Sequence, residues 1–235
     1  MSGPNAPLPA PPGGGARRPR GYDPVLLDLD GTVIDSVALI RESHRHAVRT
    51  VLGEEFEDER LVANVGRPLL EQMAAFSPER SEELYRVYRE WNHANTAALL
   101  LAYPDIPAAL GELREAGRRL GIVTSKSRDA VDLAWGVLPD LNGLFDVVVS
   151  AEDTERHKPA PDPLLMALER LGAGPEGACY AGDSPFDIES GRAAGVVTIG
   201  VTWGFFSRAA LEEAGPDLIV GTPAELVRAC LEEAP

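Results

Sequence analysis

The stretch from Val25 to Ser36 reads Val-Leu-Leu-Asp-Leu-Asp-Gly-Thr-Val-Ile-Asp-Ser. Three apolar residues lead into Asp28, and one further apolar residue separates it from Asp30. A continuous apolar run is typical of a strand that is covered on both faces, as in a parallel sheet with helices above and below. Ligands of such sheets bind at the carboxyl ends of the strands. We therefore expect Asp28 and Asp30 to lie at a ligand-binding edge.

The carboxylates of Asp28 and Asp30 can converge on one point, because the single residue between them turns away. Like charges at that separation need a cation or a shared proton. The pair therefore favours a magnesium site in which Asp28 is a nucleophile and Asp30 is an acid/base. The alternative from these residues alone is that one carboxylate caps the following helix and the other is solvated.

The rest of the chain divides into two kinds of pattern. After residue 103, helical spacing alternates with short apolar runs that predict strands at 120–124, 145–150, 178–181, 196–201 and 218–220. Repeated strand and helix at this spacing predicts an α/β fold with a parallel sheet and right-handed crossovers. Between Ser36 and Tyr103 we find helical spacing and no convincing strand, which predicts an all-helical insertion directly after the first strand.

The composition excludes several classes of protein. The net charge is −15, with 37 acidic against 22 basic residues, and no basic stripe is dense enough to offset it, so nucleic acid is not expected as a partner. No run reaches the roughly 20 apolar residues of a membrane span. Cys179 and Cys230 are the two cysteines. We expect two buried free thiols in a cytoplasmic protein, with a disulfide as the alternative, and the residues do not distinguish a monomer from a homodimer.

Polar residues follow each predicted strand in a set that suits phosphoryl transfer. They are Asp28 and Asp30, then Thr124, Ser125 and Lys126, then Lys158 in a loop, then Asp183 and Asp187. In a parallel sheet these strand ends share one edge. A phosphoryl group needs positive charge around its oxygens, an aligned nucleophile and a group that manages the leaving-group proton.

Each of these residues has a plausible place in that chemistry. Magnesium prefers oxygen ligands, which Asp28, Asp183 and the carbonyl of Asp30 can offer. The hydroxyl of Thr124 and the backbone amides of Ser125 and Lys126 can bind phosphate oxygens at a helix start. Lys158 offers a cation to both the phosphate and the nucleophile. The alternatives are a β-branched strand end for Thr124, a solvated loop lysine for Lys158, and helix caps for Asp183 and Asp187.

Four segments together resemble the haloacid dehalogenase superfamily. They are Asp28-Leu-Asp-Gly-Thr-Val-Ile-Asp-Ser, the strand that ends at Thr124, Lys158-Pro-Ala-Pro-Asp-Pro, and the 14 residues from Gly182 to Gly195. The resemblance implies a Rossmann-like core with a helical cap inserted after the first motif. It also implies the roles given above, with Asp187 supporting the metal or its waters. The Lys158 segment and Val201-Thr-Trp-Gly-Phe resemble the phosphoglycolate phosphatase and pyrophosphatase branch.

These observations lead to one expected organisation and one expected activity. We expect a disordered Pro/Gly-rich tail at 1–21, a catalytic core at 22–36 and 104–235, and a helical cap at 37–103. We expect a magnesium-dependent phosphatase that acts on a small phosphorylated metabolite through an aspartyl phosphate, with 2-phosphoglycolate as the first candidate. Pyrophosphate hydrolysis and a β-phosphoglucomutase-like mutase are the alternatives, because a mutase would share every core residue.

Overall fold

A computed structural model describes residues 21–232, so the predicted tail at 1–21 lies outside the described residues except for Gly21. The first strand, β1 (Val25–Leu27), is followed by β2 (Ile34–Asp35) and by the helices α1 (Val37–Leu52), α2 (Asp58–Val62), α3 (Leu69–Phe76) and α4 (Ser81–Leu99). The chain continues through β3 (Leu101–Ala102), α5 (Ile106–Glu115), β4 (Leu120–Val123), α6 (Arg128–Val137) and β5 (Val147–Val149). It ends with α7 (Asp162–Arg170), β6 (Cys179–Gly182), α8 (Pro185–Ala194), β7 (Val197–Val201), α9 (Arg208–Ala214), β8 (Leu218–Val220) and α10 (Pro223–Leu231).

Six strands form one sheet in the order β5-β4-β1-β6-β7-β8, and all of its neighbouring pairs are parallel. The prediction of an α/β fold with a Rossmann-like parallel sheet is therefore confirmed. The apolar run of β1 is fully buried, as expected for a central strand that is covered on both faces. Because β1 lies between β4 and β6, the residues that follow these three strands come to the same edge.

Helices α1 to α4 follow the first motif and share a hydrophobic cluster of their own. Its buried members come from α1, α2, α3 and α4, namely Ala47, Val48, Val51, Leu61, Met73, Leu84, Val87 and Tyr88. At their base, β2 and β3 form a two-stranded antiparallel ribbon. The expectation of no strand between Ser36 and Tyr103 is therefore wrong at β3. A two-residue strand is too short to show a period, and only its pairing with β2 defines it.

Two further expectations from the composition can be compared with the fold. Cys179 and Cys230 are both buried free thiols, with their sulfur atoms 3.8 Å apart. None of the helices within residues 21–232 is long and apolar enough to cross a membrane.

His44 lies inside the cluster of α1 to α4 and is fully buried. Its ring contacts those of Phe76 and Tyr88, at centroid distances of 5.5 and 4.9 Å. Burial lowers the pKa of His44 from its ordinary value of 6.5 to about 3, and the neighbouring Gln72 side chain offsets only part of this effect. The imidazole is therefore neutral in the folded protein at every pH near neutrality.

We expect His44 to destabilise the protein as the pH falls below 6.5. Between about pH 6.5 and 3 the unfolded chain binds a proton on this ring and the folded chain does not, so unfolding becomes easier. The loss is about 1.4 kcal/mol per pH unit, or roughly 2 kcal/mol between pH 7 and pH 5. Urea unfolding of the wild type and of His44→Leu at both pH values measures it. An equal pH dependence in the two proteins would contradict the assignment.

Candidate active site

The ends of β1, β4 and β6 bring three of the predicted residues together. Leu27, the last residue of β1, pairs with Ile122 and with Ala181 on the two neighbouring strands. Asp28, Thr124 and Asp183 follow these strands and are all buried, with exposed fractions of 4, 4 and 2%. Buried polar groups that meet at a sheet edge need partners, so their contacts define the chemistry of the site.

Lys158 extends from its loop into the centre of this group and is 2% exposed. Its Nζ atom lies 2.8 Å from Oδ1 of Asp28, 2.7 Å from Oδ1 of Asp187 and 3.1 Å from the hydroxyl oxygen of Tyr180. An ammonium group has three hydrogens, so these three acceptors satisfy it completely. The loop lysine is therefore a buried cation that holds one oxygen of the candidate nucleophile.

The pKa values of these groups reflect their burial and their mutual charges. Burial raises the pKa of Asp28 to about 7; Lys158 opposes this shift, and the charges of Asp187 and Asp30 add to it. Burial, followed by the charges of Asp187 and Asp28, raises the pKa of Asp183 well above its usual range. Burial alone would lower the pKa of Lys158, but the two carboxylates beside it outweigh that effect and raise the pKa. The site thus holds an excess of negative charge.

A divalent cation would compensate this excess of negative charge. Asp28, Asp183 and Asp187 each offer a carboxylate oxygen, and these oxygens lie within 4.8 Å of one another. Asp187 is already occupied, because Oδ1 accepts from Lys158 and Oδ2 accepts from the amide and hydroxyl of Ser184. Asp28 and Asp183 are therefore the better ligands, and Asp187 is suited to a supporting role.

The alternative that Asp183 and Asp187 are helix caps is correct for Asp187 only. With Ser184 it forms a capping box at the start of α8, in which the Asp187 amide donates to the Ser184 hydroxyl at 3.3 Å. Asp183 takes no part in that cap. Its Oδ2 accepts the amide of Phe205 at 2.6 Å, and its Oδ1 accepts the hydroxyl of Thr32 at 3.4 Å.

Two glycines pack so closely against the Asp183 carboxylate that neither has room for a side chain. A Cβ atom on Gly204 or on Gly31 would overlap the Asp183 carboxylate, and Gly31 also has a φ of +78°, in the left-handed region. Gly200 lies in β7, four residues before Gly204. A Cβ atom on Gly200 would make its closest contact at 3.4 Å, with Pro216. Gly204 and Gly200 therefore form a matched pair for testing the Asp183 position.

For the metal-ligand role that the sequence predicts for Asp183, we expect Gly204→Ala to lower kcat by about 100-fold, because displacing a positioned group by about 1 Å has an effect of that size. Gly200→Ala should retain kcat within about threefold, since its new methyl group meets neighbours close to normal van der Waals distance. Steady-state kinetics of both variants at saturating Mg²⁺ make the comparison. Similar kcat values for the two variants would show that the position of Asp183 does not matter.

Asp30 and Lys126 form a second ion pair at the same edge. The Nζ atom of Lys126 lies 2.9 and 3.1 Å from the two carboxylate oxygens of Asp30, and each side chain is about one-eighth exposed. The amide of Lys126 donates to the hydroxyl of Thr124 at 3.1 Å. The hydroxyl of Ser125 donates to the carbonyl of Gly66 at 2.6 Å. Residues 125 and 126 precede α6, which begins at Arg128.

A cavity of about 220 Å³ lies between the strand ends and the helices that follow the first motif. Asp28, Asp30, Thr124, Lys126 and Lys158 line its floor. Its other wall is formed mainly by side chains from the segment before α3, from α3 and from α4, which include Arg67, Gln72, Tyr85, Tyr88, Arg89, Asn92 and His93. The site therefore opens into a small chamber rather than onto a flat surface.

Contacts across the chamber hold the two walls together. Arg89 of α4 forms an ion pair with Asp129 of α6, whose other oxygen accepts the hydroxyl of Ser127 at 2.6 Å. The guanidinium of Arg67 lies 4.7 Å from the ring centroid of Phe186. These contacts link α4 to α6 and the segment before α3 to α8.

Sequence reasoning missed Tyr180 and the chamber-lining residues of α4. The Tyr180 hydroxyl contacts Lys158, Asp187 at 2.9 Å and the carbonyl of Val123 at 3.0 Å. Its signal in the sequence was weak, because a tyrosine within an apolar strand is usually a core residue. A stronger signal was available in α4, where Tyr85, Arg89 and His93 recur every four residues and therefore share one face.

Residues 25–201 match the family described as haloacid dehalogenase-like hydrolase. The chain belongs to this family. Pyrophosphatase PpaX of Bacillus velezensis is 35% identical over 203 residues, which cover 86% of this chain and 94% of that protein. A predicted phosphatase of Clostridium acetobutylicum has a solved structure that is 27% identical, with a TM-score of 0.77 over 88% of this chain and 97% of its own.

A second solved structure supports the fold alone. A predicted phosphoglycolate phosphatase of Haemophilus somnus is 20% identical, with a TM-score of 0.79 over 88% of this chain and 97% of its own. The haloacid dehalogenase-like resemblance that the motifs suggested is thus confirmed. In this chain, its four motifs meet around Asp28.

Proposed function

We propose that this chain is a magnesium-dependent phosphohydrolase that acts on small phosphorylated metabolites through an aspartyl phosphate on Asp28. The observation that carries the proposal is the contact between Lys158 and Asp28 at 2.8 Å, at a buried strand end that also holds Thr124 and Asp183. A carboxylate that is buried beside a cation and a phosphate-binding hydroxyl is suited to attack phosphorus. Membership of a hydrolase family supports the same chemistry.

Each residue of the site has a defined task in this proposal. Asp28 attacks phosphorus and forms the new P–O bond, while the bond to the leaving group breaks. Asp30 protonates the leaving oxygen and later takes a proton from the water that attacks the aspartyl phosphate. That attack forms a bond from the water oxygen to phosphorus, breaks the bond between phosphorus and the Asp28 oxygen, and releases inorganic phosphate. Lys158 orients Asp28 and neutralises phosphate charge, and Thr124 donates a hydrogen bond to a phosphate oxygen.

The metal would be held by Asp28, Asp183 and the backbone carbonyl of Asp30, with Asp187 supporting the site. When bound, Mg²⁺ supplies positive charge to the phosphoryl oxygens. The carboxylate cluster supports this assignment through its excess negative charge and through the weaker hydrogen bonding of two of its members: Lys158 contacts one oxygen of Asp28, and Oδ1 of Asp183 accepts the Thr32 hydroxyl at 3.4 Å. Magnesium is favoured over softer metals because every candidate ligand is an oxygen.

The helices α1 to α4 are proposed to act as a cap, with residues 37–103 as its extent. A chamber of about 220 Å³ suits a leaving group of a few heavy atoms and excludes a macromolecule. Two substrates fit. 2-Phosphoglycolate is the candidate from the sequence motifs, and pyrophosphate is the substrate named for the relative that is 35% identical.

A phosphate-release assay over a panel of substrates tests the proposal. The panel contains 2-phosphoglycolate, pyrophosphate, hexose and pentose phosphates, nucleotides and a phosphopeptide, each with Mg²⁺ and with excess chelator. We expect turnover of small substrates that chelator abolishes and Mg²⁺ restores. Full turnover in chelator would refute the metal assignment. The highest kcat/KM on the phosphopeptide would refute the closed chamber, and isomerised sugar phosphate without release would identify a mutase.

A further inference from the structure

The chain contains two lysines among its 22 basic residues, and both lie at the same cavity. All other cationic side chains, apart from histidine, are arginine. A lysine ammonium is a compact charge on a flexible stem, whereas arginine presents a broad planar fork. Lys158 already has its task beside Asp28 in the proposed function. The second lysine, Lys126, contacts neither Asp28 nor Asp187 and needs a separate explanation.

Lys126 forms an ion pair with Asp30. Its Nζ atom is 2.9 and 3.1 Å from the two oxygens of that carboxylate, and both side chains line the cavity. An ammonium group has three hydrogens, so two contacts with Asp30 leave one hydrogen for another acceptor. Because the side chain keeps about one-eighth of its surface exposed, this hydrogen can reach a ligand in the cavity.

The position of Asp30 locates the leaving group. A group that protonates the leaving oxygen must lie within hydrogen-bond distance of it. Lys126 touches that group, so its ammonium lies beside the leaving group. Once Asp30 has given its proton to the leaving oxygen, a negative charge on the leaving group would otherwise face the Asp30 carboxylate without compensation, and like charges at such distances repel strongly in a partly buried site.

The other lysine and the arginines of the cavity wall have contacts of their own, although none of these is with Asp30. Arg89 is paired with Asp129, whereas Arg67 stacks on Phe186 with Glu71 3.9 Å away and has no hydrogen-bond partner for its Nε atom among the described residues. Lys158 is saturated by Asp28, Asp187 and Tyr180. Lys126 is therefore the cation best placed to take an anionic acceptor next to Asp30.

We propose that Lys126 binds a negative charge on the leaving group, so that the preferred substrates are those whose leaving group is itself an anion, either a phosphate or a carboxylate. This inference rests on the proposed function, because it takes Asp30 as the group that contacts the leaving oxygen. Lys126 then determines specificity as well as positioning Asp30.

Two variants separate these roles. Lys126→Gln removes the charge and keeps a hydrogen-bond donor toward Asp30, whereas Lys126→Met removes both. The substrates are pyrophosphate, 2-phosphoglycolate and 2-hydroxyethyl phosphate, in which a neutral alcohol replaces the carboxylate of 2-phosphoglycolate. For Lys126→Gln we expect kcat/KM to fall by about 100-fold on the anionic leaving groups, as for a lost charge-assisted hydrogen bond, and by less than about fivefold on the neutral one. A rise in KM should contribute to the selective loss.

Arg128→Met is the matched control, because it removes one positive charge two residues away, where the side chain pairs with Asp153 outside the cavity. In this variant kcat/KM should fall only slightly, and by the same factor on all three substrates. A loss confined to pyrophosphate would identify phosphate as the bound anion, and a loss confined to 2-phosphoglycolate would identify a carboxylate.

Equal losses on charged and neutral leaving groups in Lys126→Gln would overturn the inference and leave Lys126 with a positioning role alone. Thermal unfolding of every variant, and kcat expressed per folded molecule, separate such losses from misfolding. A wild type that hydrolyses none of the substrates with Mg²⁺ would instead refute the proposed function, so the two failures are distinguishable.

Discussion

Asp28→Asn is expected to leave a folded protein whose turnover is at least about 1000-fold below that of the wild type. The amide oxygen is a poor nucleophile and cannot form the aspartyl phosphate. The fold should survive, because burial already raises the pKa of Asp28 to about 7 and a neutral group of the same shape suits that site. Lys158 would keep its contacts with Asp187 and Tyr180.

The measurement is phosphate release on the best substrate of the panel, with circular dichroism and thermal unfolding to establish folding. Asp35→Asn is the matched control from the same motif, since Asp35 accepts the amide of Val37 at 3.2 Å and lies outside the cavity lining. It should retain activity within about twofold. Turnover of Asp28→Asn above one-tenth of the wild-type rate would rule out Asp28 as the nucleophile.

Asp30→Asn is expected to lower kcat by about 100- to 10,000-fold on alkyl phosphates, because the leaving alkoxide then departs without a proton. The defect should shrink on an aryl phosphate, whose leaving group is acidic and needs little protonation. Lys126 should remain near the amide oxygen, so the structural change is small. Measuring kcat with 2-hydroxyethyl phosphate and 4-nitrophenyl phosphate compares the two leaving groups.

The comparison depends on the ratio of the two rates rather than on either rate alone. A general acid makes the ratio of aryl to alkyl turnover rise in Asp30→Asn, whereas a loss of folding or of metal lowers both rates together. Equal losses on the two substrates would argue against the acid role. They would also weaken the inference about Lys126, which locates the leaving group beside Asp30.

Local patterns in the sequence were sufficient to predict the main sheet. Each of its six strands is a short apolar run bounded by turn residues, and the alternation with helices implies parallel strands. The same patterns placed Asp28, Thr124 and Asp183 at strand ends, and the parallel arrangement brings such ends to one edge. The family could be named from the residues at those ends, because few chemistries use that set in that order.

Tertiary structure alone decided which of these polar groups touch. The partner of Lys126 is 96 residues away at Asp30, and that of Lys158 is 130 residues away at Asp28. These pairings depend on the order β4-β1-β6, which no local pattern encodes. The ribbon of β2 and β3 and the contacts of Tyr180 have the same origin. The spacing of apolar residues reports the structure of a single helix or strand. Contacts between elements depend on how the whole core packs, so the pairings in this site are defined only by the tertiary structure.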